Sequence, residues 1–152
     1  MNKIMLGWRE WVSLPELGIE SIKAKVDTGA RSSALHAFQL ATFEENGVAR
    51  VRFSIHPFQH DSSTVRTCTA DLLDERQVSD SGGHRELRPV ISSQLKIGDT
   101  LRRIEITLTC RESMKFRMLL GRTAMHGAFT VDPESSYLLG SGARPNKGDS
   151  KR

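Results

Sequence analysis

The strongest constraint on the fold of this 152-residue chain comes from the turn signals that separate its apolar stretches. Asn46-Gly47 and Gly98-Asp99 each separate two stretches that are rich in β-forming residues. Asn-Gly is a strong hairpin signal, because a type I′ turn needs positive φ at both central positions. The stretches on either side of the two turns are residues 38–43, 48–56, 90–97 and 101–110. Many short strands with turns between them predict an all-β barrel or sandwich.

Length and composition place the chain in the class of single-domain globular proteins. Hydrophobic residues make up 38% of the chain. When the twelve glycines are counted with them, the apolar share reaches the range usual for globular proteins. No window approaches 18 apolar residues, and the first residues lack the apolar stretch of a secretory signal. Two cysteines are too few for a disulfide scaffold and favour a reducing compartment. The expected location is therefore the cytoplasm, with no membrane span.

The net charge of +4 lies mostly at the C-terminal end. Residues 140–152 have no apolar periodicity and hold four basic residues against Asp149. This composition predicts a disordered basic tail after one folded domain over residues 1–139. The predicted domain is close to neutral, so its charge does not indicate a nucleic-acid-binding protein.

An alternating strand at residues 22–26 runs directly into Asp27-Thr28-Gly29-Ala30. This order places a carboxylate at a strand end, on a turn that Gly29 allows to be tight. The Thr28 hydroxyl can brace such a loop, and the small residues Ala30 and Ser32 leave room beside it. Taken alone, the tripeptide Asp-Thr-Gly is more typical of an ordinary β-turn.

A second motif, Leu119-Leu120-Gly121-Arg122, follows some ninety residues later. Together the two motifs resemble the retropepsin-like aspartic peptidases, in which an Asp-Thr-Gly-Ala loop packs beneath an apolar-apolar-Gly-Arg segment. The wider sequence is similar to the bacterial RimB-type family, whose members are often labelled ATP-dependent zinc proteases and are associated with a ribosomal-protein glutamate ligase. That similarity covers nearly all of residues 5–140 and is carried by residues 7–11, 23–31, 33–37, 119–122, 131–133 and 136–140.

The resemblance implies a closed β-barrel of the acid-protease type, with one short helix after Leu-Leu-Gly. It assigns catalysis to Asp27, Thr28 and Gly29, and structural support of the site to Leu119, Leu120, Gly121 and Arg122. Aspartic peptidases use two carboxylates that share one proton. Because this chain has one Asp-Thr-Gly, the resemblance implies a homodimer that pairs Asp27 with its copy. Residues 137–139, expected as a closing strand, are the candidate interface strand.

The resemblance also predicts where substrate binds. A flap is expected to end at residues 79–85, with a plain surface loop as the alternative, and residues 38–56 look like an insertion. The predicted substrate-binding residues are Ala30, Arg31, Ser32, Gly82, Gly83, His84, Arg85 and Arg88. Viral members usually carry two acidic residues where this chain has Arg31-Ser32, so an arginine at position 122 lacks its usual acidic partner.

Three arginines of this predicted cleft, Arg31, Arg85 and Arg88, favour acidic peptides as substrates. The alternative is that these arginines are solvated or paired with nearby acids such as Asp71 and Asp74. The association with a glutamate ligase suggests a glutamate-rich peptide, such as a tail on a ribosomal protein. The expected partners are a second copy, this acidic substrate, and a glutamate ligase or ribosomal protein.

No cofactor is expected, since the chain has neither a His-Glu-x-x-His motif nor a phosphate-binding loop. His56 and His60 have helical metal-ligand spacing, but Pro57 makes a helix there unfavourable. Two other functions stay open at this point. One is a non-catalytic β-barrel module that binds a glutamate ligase or ribosomal partner, and the other is the zinc hydrolase of the common label.

Overall fold

A computed structural model describes residues 3–58, 63–79, 82–110 and 115–140 of the chain. Within these ranges the fold is built almost wholly of strands, as the turn pattern predicts. The strands are β1 (Ile4–Leu6), β2 (Arg9–Leu14), β3 (Ile19–Val26), β4 (Ser33–His36), β5 (Phe38–Glu45), β6 (Val48–Ile55), β7 (Arg66–Ser79), β8 (Arg85–Ile97), β9 (Thr100–Thr109), β10 (Met118–Leu120) and β11 (Phe129–Val131). A 3₁₀ turn covers Pro15–Leu17, and the short helix α1 covers Arg122–Met125. Neither helix has the length and apolarity that a bilayer span requires, within the part of the chain that is described.

Nine of these strands form one sheet in the order β2-β3-β10-β4-β9-β8-β7-β6-β5. A backbone pairing of Ser13 with Lys96 also joins β2 to β8, so the first six strands of this order form a ring. The strands β7, β6 and β5 extend the sheet beyond the ring, and β1 pairs in parallel with β11 in a small second sheet. The predicted all-β fold class is therefore confirmed.

The insertion of β10 between β3 and β4 brings the two sequence motifs together. Leu120 pairs with Val26 in the parallel ladder with β3. On the other side, Leu119 pairs with Ala34 in the antiparallel ladder with β4. The strand end that precedes Asp27 therefore lies beside the Leu-Leu-Gly segment.

The core joins side chains of the ring strands to side chains of strands outside the ring, and β3 shows the alternation that buries one face of a strand. In β3, Ile22, Ala24 and Val26 are buried, whereas Lys23 is half-buried and Lys25 is exposed. Burial of a large aliphatic or aromatic side chain contributes about 1.5–3 kcal/mol. The largest fully buried side chains are Leu6, Leu14, Ile19, Ile22, Leu35, Phe53, Ile55, Ile91, Leu95, Ile97, Ile106 and Leu108.

The hairpins predicted from the two turn signals are present. Asn46 and Gly47 both have positive φ, at 53° and 80°, and join β5 to β6. Gly98, with φ of 59°, turns the chain from β8 into β9. The strands β7 and β8 are longer than the sequence pattern suggests, because they pair up to Ser79 and Arg85 and project as one long hairpin. The predicted short helix after Leu-Leu-Gly is α1.

The predicted strand over residues 137–139 is wrong. Tyr137 has a positive φ of 54°, and the backbone N–H groups of Leu138 and Leu139 donate to the buried carboxylate of Glu10 at 2.9 and 3.3 Å. The Glu10 carboxylate also accepts from the Gly7 N–H at 2.7 Å. A side chain thus takes the hydrogen bonds that a strand partner would supply. Of the predicted tail, residues 141–152 lie outside the described residues.

Candidate active site

Asp27 follows the last residue of β3 and is half-exposed. Its backbone N–H donates to the Leu120 carbonyl at 2.9 Å, which continues the β3–β10 ladder by one residue. Its carboxylate oxygen Oδ1 accepts from the Gly29 N–H at 3.0 Å, and its carbonyl accepts from the Ala30 N–H at 3.2 Å. Two bonds within the turn and one to the neighbouring strand therefore fix the position of this carboxylate.

The carbonyl groups of the turn are held by the start of α1. Nη1 of Arg122 donates to the carbonyls of Thr28 and Gly29, both at 3.2 Å. The Arg122 N–H donates to the Ala30 carbonyl at 2.8 Å. The carbonyl of Arg31 accepts from both the N–H and the hydroxyl of Thr123, at 3.1 and 3.0 Å. Arg122 therefore braces the turn through backbone carbonyls, which is a role that needs no acidic partner.

Gly121 fits between the two segments because it has no side chain. A Cβ at this position would lie 2.5 Å from both the carbonyl carbon and the carbonyl oxygen of Ser32, and 2.8 Å from the Arg31 oxygen. The Gly121 N–H donates to the hydroxyl of Ser33, which is fully buried, at 3.1 Å. Leu120 fills the core, and Leu119 faces the opposite side of the sheet. The four residues predicted to support the site therefore lie against β3 or against the turn that carries Asp27.

The outward surface of the turn is open. Thr28, Gly29 and Arg31 are exposed, and Ala30 and Ser32 are half-buried. Among the described residues, the hydrogen bond from Gly29 is the only one that the Asp27 carboxylate makes. At this turn one chain thus presents a single, half-exposed carboxylate on a backbone that hydrogen bonds hold in place.

The long β7–β8 hairpin carries the residues predicted for a flap. Ser79 pairs with Arg85 at its end, and Gly82, Gly83, His84 and Arg85 are all exposed there. Gly83 has φ of 84°, a conformation that favours glycine at a hairpin end. Asp80 and Ser81, within the predicted flap tip, lie outside the described residues.

The three arginines that were expected to form an acidic-peptide cleft have different surroundings. Arg31 and Arg85 are exposed, and no acidic side chain among the described residues pairs with either one. Arg88 is buried, and its Nε donates to Glu86 Oε1 at 2.7 Å. The same Glu86 oxygen accepts from the Thr109 hydroxyl at 3.2 Å.

The acids proposed as alternative partners of these arginines pair with other residues. Asp71 pairs with Arg50 at 2.7 Å, and Asp74 pairs with Arg76 at 2.9 Å. Within the described part of the chain, Arg88 is therefore the one member of the predicted trio that pairs with an acid, and its partner is Glu86.

A groove of about 400 Å³ lies beside the strand that leads to Asp27. Arg88 contributes to it, whereas Arg31 and Arg85 do not. Sequence reasoning missed Lys25 and Lys115 as lining residues, although the alternation of β3 places Lys25 on the same strand face as Asp27. The lining residues are Trp8, Lys25, Ala34, Arg88, Thr109, Lys115, Phe116 and Leu119.

The wall of this groove is supported by a turn that holds Trp8. The Trp8 N–H donates to the Ser135 carbonyl at 2.8 Å, and the Trp8 ring meets Phe116 edge-to-face at 5.7 Å. Within the turn, the Asp132 carboxylate accepts from the Glu134 N–H at 3.0 Å and from the Ser135 hydroxyl at 2.7 Å. These two hydrogen bonds lower the pKa of Asp132. The ionised form of Asp132 therefore stabilises the turn behind Trp8.

Within the described ranges, no group of three or more His, Cys, Asp or Glu side chains is arranged to hold a metal ion. His56 stacks on Phe38 with a ring separation of 4.5 Å, and its Nδ1 lies 3.2 Å from the Thr64 carbonyl oxygen. Its predicted spacing partner, His60, lies outside the described residues.

Comparison with known proteins gives one family over nearly the whole chain. A family model described as RimB-like, retropepsin-like aspartic endopeptidase RimB, matches residues 5–141. A protein named "Probable alpha-L-glutamate ligase" from Parasynechococcus marenigrum is 46% identical over 91% of this chain. Proteins of the same name from Shewanella pealeana and Desulfotalea psychrophila are each 42% identical, over 91% and 96% of the chain. The chain spans only 30–32% of the length of these relatives.

The fold also matches a solved structure. The crystal structure of a protein of unknown function from Legionella pneumophila superposes with a TM-score of 0.75 at 26% sequence identity. The match covers 91% of this chain and 99% of the Legionella chain.

Proposed function

This chain belongs to the RimB-like family of retropepsin-like aspartic endopeptidases, and on that premise we propose that two copies of it form an aspartic peptidase. Asp27 of each copy supplies one carboxylate of the catalytic pair. The observation that carries the proposal is the turn itself, a strand-end Asp-Thr-Gly that α1 holds rigidly while its outer surface is open. A single carboxylate cannot act as both acid and base, so the second one has to come from another copy.

The proposed chemistry is general acid–base hydrolysis of a peptide bond. Two adjacent carboxylates share one proton, because two negative charges in close contact are unfavourable. The ionised carboxylate takes a proton from water, and the water oxygen attacks the peptide carbonyl carbon. The protonated carboxyl group hydrogen-bonds and then protonates the carbonyl oxygen. The leaving nitrogen then takes up the proton that the first carboxylate accepted from water, and the C–N bond breaks. One hydroxyl of the tetrahedral diol returns its proton to the second carboxylate, which restores the pair.

The proposed substrate is a glutamate-rich peptide, including a glutamate tail on a ribosomal protein. The support comes from the relatives that carry this domain as about a third of a longer chain and are named as α-L-glutamate ligases. A domain that is fused to one enzyme in some proteins commonly acts on the same substrate in others. The reaction that supplies the substrate is then the ligation of glutamate, and this peptidase reverses it.

The decisive experiment combines peptidase activity with the mass of the active species. Wild type is expected to elute at twice the mass of a single chain in light scattering and to cleave an oligoglutamate peptide. Asp27→Asn is expected to keep the same mass and the same thermal unfolding but to lose activity, because an amide can neither share the proton nor accept one from water. Asp99→Asn, an exposed carboxylate at the β8–β9 turn, serves as the matched control and keeps full activity.

The same experiment tests the second candidate, a non-catalytic module that binds a glutamate ligase. The relatives' names favour this candidate, since they describe ligases and not peptidases. A strictly monomeric protein that binds a glutamate ligase and cleaves no peptide would support the module. Activity retained in Asp27→Asn, with contamination by wild type excluded, would contradict the aspartic mechanism.

A further inference from the structure

The groove beside the strand that leads to Asp27 has a cationic lining. Three of its lining side chains are cationic, namely Lys25, Arg88 and Lys115, and none of its lining residues is acidic. Glu86 neutralises part of the charge by pairing with Arg88. Lys25 is exposed, and no acidic side chain among the described residues pairs with it.

Apart from Thr109, the remaining lining residues of the groove are apolar. Trp8 and Phe116 contact each other edge-to-face, and Ala34 and Leu119 complete the apolar part of the lining. A site with apolar walls and cationic groups suits a side chain that has methylene groups and ends in a carboxylate. Glutamate has this form, whereas glutamine offers no charge to the lysines.

The distance between the groove and the Asp27 turn follows from their positions on the same strand. Lys25 lies two residues before Asp27 and on the same face of the strand, so the two Cα atoms are about 7 Å apart. Leu119 pairs directly with Lys25 across the β3–β10 ladder. An extended peptide advances by about 3.3 Å per residue. The groove is therefore within reach of a side chain one or two residues from a bond held at Asp27.

We infer that the groove bounded by Lys25, Arg88 and Lys115 is a subsite that takes the glutamate side chain of a residue close to the scissile bond. The inference rests on the proposed peptidase function for the identity of its occupant. Arg88 is held in place by Glu86, and Lys25 and Lys115 supply the charge that distinguishes glutamate from glutamine.

The test measures binding and not cleavage, so that it can fail separately from the peptidase proposal. Fluorescent oligoglutamate and oligoglutamine peptides of equal length, both with amidated C-termini, are titrated into the Asp27→Asn protein. The amide cap removes the terminal carboxylate, which leaves side chains as the only acidic groups. Lys25→Met and Lys115→Met keep the apolar stem and remove the charge, and Lys96→Met removes an exposed lysine from β8 as the matched control.

The expected result is tighter binding of oligoglutamate by at least about tenfold, with a loss of about fivefold to tenfold in each of the two groove variants. Lys25→Arg is expected to retain the preference, and Lys96→Met is expected to leave it unchanged. Equal binding of both peptides, or an equal loss in Lys96→Met, would overturn the subsite even if the protein cleaves peptides. A preserved preference in a protein that cleaves nothing would support the subsite and contradict the peptidase.

Discussion

Gly121 and Ser32 approach each other so closely that a methyl group at position 121 would lie 2.5 Å from the Ser32 carbonyl. This contact holds the Leu-Leu-Gly segment against the backbone that follows the Asp-Thr-Gly turn. Since both partners are backbone, neither can move aside as a flexible side chain could. The contact makes position 121 a sensitive probe of how the site is built.

Gly121→Ala is expected to lower the free energy of unfolding by about 1–3 kcal/mol, the usual cost of overpacking in a closely packed region. Gly29→Ala is the matched comparison, because a Cβ there meets only Asp27 Oδ1 at 3.3 Å. We expect its stability to change by less than about 1 kcal/mol, even though it alters the site. Urea denaturation followed by circular dichroism measures both, and equal stability of Gly121→Ala and wild type would contradict the contact.

Arg122→Ala is expected to loosen the turn while leaving the fold intact. The substitution removes two hydrogen bonds to the carbonyls of Thr28 and Gly29 but keeps the backbone bond to Ala30. Hydrogen exchange at the Gly29 and Ala30 amides should become faster, by about tenfold, because the turn opens more often. Catalytic efficiency should fall by about tenfold or more as the carboxylate loses its fixed position.

The control for this prediction is Arg102→Ala, which removes one comparable hydrogen bond, to the carbonyl of Ala124 within α1. It should affect stability to a similar degree without changing exchange at the turn. If both variants accelerate exchange at Gly29 equally, Arg122 has no special role there.

Glu10→Ala is expected to destabilise the protein by about 2–5 kcal/mol. The variant leaves the N–H groups of Gly7, Leu138 and Leu139 without their acceptor; the bond from Gly7 is buried and the other two are part-buried. An unsatisfied buried donor costs about 1–3 kcal/mol, and a partly exposed one costs less because water can replace the acceptor. Glu20→Ala, an exposed carboxylate at the start of β3, should change stability by less than about 0.5 kcal/mol. Thermal unfolding of both variants and of wild type measures these changes in stability. If Glu10 were only a surface charge, Glu10→Ala would be as stable as Glu20→Ala.

The stability of the fold should fall in acid. Arg103 lowers the pKa of Glu16, Arg76 lowers that of Asp74, and the Glu134 N–H, helped by the Ser135 hydroxyl, lowers that of Asp132. A carboxylate whose pKa is lowered by folding stabilises the protein above the unfolded pKa, near 4, and loses that contribution as the pH falls through the lower folded value. Unfolding midpoints measured between about pH 6 and pH 3 should therefore decrease toward acid.

A single variant isolates one of these groups. Asp132→Asn should be less stable than wild type at neutral pH, and the difference should shrink below about pH 4 as Asp132 of the wild type is protonated. A difference that stays constant over the whole range would show that the charge of Asp132 does not contribute.

Local signals in the sequence were sufficient for much of this structure. Asn46-Gly47 and Gly98 each define a hairpin by the φ angles that they allow, and Asp27 follows a strand whose alternation is plain. The pairing of Gly121 with the turn was available only from resemblance, because the contact joins residues about ninety positions apart. No periodicity within either segment encodes it.

The features that the sequence did not predict correctly also depend on contacts between residues far apart in the chain. Residues 137–139 have the composition of a strand, but the buried Glu10 carboxylate, far away in the sequence, takes two of their N–H groups. The groove was missed because Lys25 and Lys115 come together only when β10 lies beside β3. Side chains that meet across such ladders cannot be identified until the strand order is known.

The place of β10 in the sheet also determines when the site can form during synthesis. β10 lies between β3 and β4, so a nascent chain that ends before Met118 leaves both strands with an open edge where the ladder belongs. Such edges pair readily with other chains. Contacts between distant parts of a chain form slowly, since the loop between them has to close first. Asp27 is therefore synthesised early, but the strand that completes its surroundings is added only after nearly a hundred further residues.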